Sequence, residues 1–68
     1  MTLKKRSFSL AGHRTSVALE AEFWAVIDDA ARKQGISLAA LVAKIDAGHG
    51  ARPLASALRL FALEAKGG

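Results

Sequence analysis

The chain has 68 residues, 51% of them hydrophobic, a formal net charge of +4 and no cysteine. That length makes one domain near the lower limit of independent stability. With no thiol present, disulfide staples and thiolate metal sites are excluded, so extra buried area is expected from a second copy of the chain. No apolar run approaches the roughly 18 residues that cross a membrane; the longest is Leu38 to Ala43. The Lys4-Lys5-Arg6 start is followed by Ser7, Ser9 and Gly12 rather than by the hydrophobic core of a signal peptide. A cytoplasmic protein with no membrane partner is therefore expected.

The charge is placed unevenly. Residues 1–19 hold Lys4, Lys5, Arg6 and Arg14 and no acid, whereas from Glu20 onward the basic side chains (Arg32, Lys33, Lys44, Arg52, Arg59, Lys66) are balanced by Glu20, Glu22, Asp28, Asp29, Asp46 and Glu64. An excess confined to one segment is the footprint of a polyanionic partner or of a solvated basic tail.

In chain order, residues 1–7 read as a flexible basic arm, and residues 8–66 as the folded domain. Phe8 and Leu10 alternate with Ser7 and Ser9 before an Ala11-Gly12 break, a piece too short to count as a second strand. Residues 13–19 are the clearest strand: Thr15, Val17 and Leu19 point one way, and Arg14, Ser16 and Ala18 the other. At Glu20 the period changes to a helix over 20–34, with Phe23, Val26, Ile27, Ala30 and Ala31 on its apolar face, Trp24 on the flank, and Gly35 as the stop. Ser37 is the N-cap of a second helix over 38–47, with Leu38, Leu41, Val42 and Ile45 inward. Pro53 opens a third over 54–65, whose apolar face of Leu54, Ala57, Leu58, Phe61 and Ala62 is widened by Leu60 and Leu63. That widening is expected to pack on Trp24 within a dimer. His13 reads as a surface or hydrogen-bonded histidine, and His49, between two glycines, as a loop residue.

A lone strand leaves amide and carbonyl groups unpaired on both edges. The economical partner is the same strand of a second copy, antiparallel about a two-fold axis near Ser16, over a common core of four central helices. Arg14, Ser16 and Ala18 of both copies then face outward on a two-stranded ribbon, a shape that fits the DNA major groove. Arg14 can bond guanine bidentately, Ser16 can donate or accept, and Ala18 can touch a thymine methyl. Lys4, Lys5 and Arg6 would neutralise phosphates in a salt-dependent way.

The segments Lys5-Arg6-Ser7-Phe8, Gly12-His13-Arg14-Thr15-Ser16-Val17, Leu19-Glu20 and Glu22-Phe23-Trp24 resemble a compact bacterial family of the ribbon-helix-helix superfamily, to which the Arc and MetJ repressors belong. Gly35-Ile36-Ser37-Leu38-Ala39-Ala40-Leu41-Val42 and Ser56-Ala57-Leu58-Arg59-Leu60-Phe61 carry the likeness through a third helix. The resemblance implies a mostly α ribbon-helix-helix fold, with one short strand paired across a homodimer and three helices per chain. It also implies double-stranded DNA as partner and a role in transcription regulation, such as a repressor. Base-contacting positions carry over to Arg14, Ser16 and Ala18, the last departing from a pattern in which a polar or basic side chain is common. A phosphate clamp carries over to the start of the second helix, at Ser37 and Leu38. The alternative is a protein-interaction module, an antitoxin or adaptor, whose partner docks on the third helix. No enzyme is expected, because no carboxylate pair adjoins an acid–base histidine and no phosphate loop or metal spacing occurs; no cofactor is expected either.

Overall fold

The computed structural model describes residues 2–48 and 50–67, so His49 lies outside the described residues. The order of elements is β1 (Leu3–Leu10), β2 (His13–Glu20), α1 (Ala21–Gln34), α2 (Leu38–Gly48) and α3 (Leu54–Gly67). The strands form one antiparallel two-stranded sheet in which Leu3 faces Glu20, Arg6 faces Val17, Phe8 faces Thr15 and Leu10 faces His13.

This hairpin corrects two expectations. The chain does supply a second strand, along one edge of residues 13–19, where Phe8 to Leu10 read as too short for one, and the segment read as a loose basic arm is the greater part of it. The alternation noticed at Ser7 to Leu10 runs back to Leu3, with Phe8 and Leu10 buried and Lys5, Ser7 and Ser9 exposed. What hid it is Arg6, a charged residue at an inward position. Its guanidinium lies 4.9 Å from the centre of the Trp24 ring and its Nη1 donates to Asp28 Oδ1 at 3.1 Å and Oδ2 at 3.2 Å. A long side chain can cover apolar surface with its stem while its charge is met at the rim.

The two strands are joined by Ala11 and Gly12, with φ of 52° and 82°. Two successive residues of positive φ match the type I′ turn, whose twist suits a hairpin. Glycine takes that region freely, whereas alanine is strained there by about 1–2 kcal/mol. Ala11→Asn, which creates the Asn-Gly pair favoured in this turn, is expected to raise stability by about 0.5–1 kcal/mol. The check is the urea midpoint, and an unchanged or lower value would count against a strained turn.

The helices follow from local signals. Glu20 enters α1 in extended geometry, and Gly35, at φ 70°, ends it with its N–H on Ala31 and Arg32 carbonyls. Ile36 N–H returns to Ala31 O at 3.0 Å, which completes a left-handed stop. Ser37 Oγ accepts from Ala40 N–H at 3.0 Å, a cap on the third residue of α2. Pro53 lies just before α3, and its carbonyl accepts the first helical bond, from Ala57 N–H at 3.0 Å.

α2 packs beneath β1, and α1 and α3 beneath β2 and against one another. The inner sheet face of Phe8, Leu10, Val17 and Leu19 meets Trp24, Ile27 and Ala31 of α1, Leu41 and Val42 of α2, and Leu58 and Ala62 of α3. Leu19, Ile27, Val42 and Leu58 are fully shielded, each contributing roughly 1.5–3 kcal/mol of burial. Trp24 sits in this core rather than on the flank of α1, because the hairpin closes over that side of the helix. Among the described residues, the sheet and the three helices of one chain close a common core. The large apolar side chains left exposed among the described residues are Leu3, Leu60 and Leu63.

Candidate nucleic-acid interface

In an antiparallel pair, residues directly opposite share a face. Below the sheet, the helices take one face of the hairpin; the other carries Lys5 opposite Ala18, Ser7 opposite Ser16, and Ser9 opposite Arg14. All are exposed except Ala18, which is partly covered. Ser7 Oγ and Ser16 Oγ lie 2.9 Å apart and share a hydrogen bond across the strands. Arg14, Ser16 and Ala18 therefore stand together on the outward face, as the alternation predicts. Ser7 and Ser9 are additional members that the sequence reading left out; their signal was the alternation with Phe8 and Leu10.

The three N-terminal cations separate. Lys5 faces outward. Arg6 is on the helix side, held by Asp28 and Trp24, and is not part of the outward surface. Lys4 is exposed, and its carbonyl accepts from Trp24 Nε1 at 2.7 Å, which ties the start of β1 to α1. Ser37 is exposed and Leu38 partly so at the start of α2, where the first-turn N–H groups other than that of Ala40 carry no side-chain cap.

An acid does lie at the base of the ribbon. Glu20, opposite Leu3, accepts from Arg59 Nε of α3 at 3.1 Å. Its carboxyl is held below the ordinary glutamate value by its own backbone N–H first and by the Arg59 guanidinium second. The charge is thus met by a cation, and beyond the Leu3–Glu20 pair the outward face carries only lysine, arginine, serine and alanine.

The outer edge of β2 has further consequences. Where two residues close a hairpin, the flanking pair exchanges both its backbone bonds, and bonded pairs alternate from there. Leu10–His13, Phe8–Thr15, Arg6–Val17 and Lys4–Leu19 are bonded pairs on this pattern, and the N–H and C=O groups of Arg14, Ser16 and Ala18 point away from β1. Among the described residues no other strand takes up that edge.

A two-stranded ribbon with a cationic, hydroxyl-bearing outer face, carried on three helices, defines a small ribbon-and-helix domain. A family model described as "Ribbon-helix-helix domain" matches residues 3–65, and the chain belongs to that family. The match opens at the first residue of β1, so the hairpin lies inside the family's unit. No curated protein and no solved structure matches the chain. Among the described residues no helix is long and apolar enough to cross a membrane, and no group of three or more His, Asp or Glu side chains is placed to hold a metal ion.

Proposed function

We propose that the protein is a homodimeric DNA-binding regulator of transcription, acting in the cytoplasm without a cofactor, that presents the outward face of β2 to the major groove. The observation that carries this reading is the joint exposure of Arg14 and Ser16 on a strand face whose one acid, Glu20, is already paired. Two copies pair antiparallel along the free edges of β2, with the two-fold axis at Ser16, so that each Ala18 lies opposite the partner's Arg14. The four-stranded sheet that results keeps both β2 strands at its centre. Arg14 donates to guanine O6 and N7, and Ser16 bonds a base edge near the axis. Lys4 and the free amides at Ser37 and Leu38 hold backbone phosphates.

Selection of preferred duplexes from a random pool, at near-physiological salt, tests this. Arg14→Ala is expected to lose about 1–3 kcal/mol of discrimination at one base pair per half-site while its circular dichroism stays that of the parent. Specific affinity that survives the substitution unchanged would remove the ribbon as reader. Sedimentation on the preferred duplex should show two chains per site.

The alternative, a protein-interaction module working through α3, has the exposed Leu60 and Leu63 in its favour. Two leucines bury far less than the roughly 1,000 Å² a specific interface needs, so DNA ranks first. Stoichiometric co-purification of a partner that shields α3 would reverse the order.

A further inference from the structure

Ala18 presents only a methyl group on the outward face of β2, between the polar side chains of Ser16 and Glu20. Its cross-strand neighbour is Lys5. The two form a non-hydrogen-bonded pair, the kind in which Cα atoms approach to about 4.5 Å and side chains are closest. Lys5 is exposed, and among the described residues it has no ion-pair partner. It is also the one cation of the Lys4-Lys5-Arg6 run on this face, since Arg6 is engaged with Asp28 and Trp24 beneath the sheet.

We propose that Lys5 is a base-contacting residue which supplies, from the neighbouring strand, the cationic side chain that position 18 lacks. The inference rests on the reading that the outward face meets DNA, and it changes the task of Lys5 from a phosphate contact to base recognition. The small Ala18 side chain leaves the space over β2 open. The flexible four-carbon stem of Lys5 crosses one strand spacing of about 4.8 Å and brings its ammonium to the base edges, where guanine O6 and N7 accept. In the dimer register about Ser16, each flank of the axis then carries a row of Lys5, Ala18 and the partner's Arg14. A methyl between the two cations keeps them two strand spacings apart, whereas a third cation at position 18 would stand directly beside like charges, which is destabilising. Alanine at 18 and lysine at 5 are thus two halves of one arrangement.

The experiment uses the full chain as wild type, Lys5→Ala and the double variant Lys5→Ala/Ala18→Lys. Duplexes are selected from a random pool at near-physiological salt, and affinities are then measured over a salt series on the preferred duplex and its single-base-pair variants. Lys5→Ala is expected to lose about tenfold in preference at one base pair per half-site, a different pair from that lost in Arg14→Ala, with an unchanged thermal midpoint. The double variant, which returns one cation to the same row, is expected to regain a preference at that pair. Uniform weakening on every duplex, with a salt slope shallower by about one, would make Lys5 a phosphate contact and overturn the proposal. An unchanged preference in Lys5→Ala overturns it as well. A wild-type chain that selects no duplex is a separate result, which removes the DNA-reading function and the role of Lys5 together.

Discussion

Trp24→Ala is expected to remove the larger part of the chain's folding stability. The indole is 2% exposed and its ring centre lies 6.0 Å from that of Phe8, so it joins the hairpin to α1 from the inside. Truncating a buried aromatic to alanine costs about 3–5 kcal/mol through lost burial and the cavity left behind. Here the loss is compounded, because the Nε1 donor to Lys4 O and the face under the Arg6 guanidinium go with it. A domain of this size is stable by about 3–10 kcal/mol in total, so one substitution removes the larger part. Trp24→Phe separates the contributions: it keeps an aromatic ring but not the N–H, and a loss of about 1–2 kcal/mol is expected. Urea titration followed by far-ultraviolet circular dichroism measures both variants. A Trp24→Ala chain with the parent's midpoint would mean that the indole does not hold β1 in place.

Removal of residues 1–6 is the second large effect, and the hairpin turns what looked like an electrostatic experiment into a structural one. On the loose-arm reading the truncated chain would keep its fold and lose only salt-sensitive affinity. In the structure the truncation deletes the Lys4–Leu19 and Arg6–Val17 pairs of the ladder, the Lys4 carbonyl that satisfies Trp24, and the Arg6–Asp28 ion pair. Each ladder hydrogen bond contributes about 1 kcal/mol net, and the half-exposed ion pair at most about 1 kcal/mol more. A loss of roughly 3–5 kcal/mol is expected, with folding and DNA binding failing together. The control is Lys4→Gln/Lys5→Gln, which removes two charges without shortening β1 and is expected to keep the parent's urea midpoint. A truncated chain as stable as the parent would return residues 1–6 to the status of an arm.

The parts of the molecule legible in the sequence are those specified by near neighbours. Gly35 stops α1 and Ser37 caps α2 through contacts within a few residues, and the 3.6-residue period places Ile27, Ala31, Leu41, Val42, Leu58 and Ala62 inward wherever the helix goes. The outward face of β2 is legible for the same reason, since alternation at Arg14, Ser16 and Ala18 is a property of the strand itself. Arg6 broke the matching signal on β1. An inward arginine reads as solvent-facing until the Trp24 ring and the Asp28 carboxylate, which follow it by 18 and 22 residues, are brought beneath it.

Periodicity and caps by themselves determined three helices, a strand at residues 13–19 and the three side chains it turns outward. Only the tertiary structure decided what pairs with that strand. Backbone hydrogen bonds are the same whatever the side chains, so a ladder says that a partner is needed and not which one. The choice falls to proximity and fit. A segment two residues away closes onto the strand at far smaller entropic cost than a second molecule, and Phe8 and Leu10 then complete an apolar face over the helices. With that edge filled from within, the other edge of β2 and the row from Lys5 to Ala18 became the surface left for a partner.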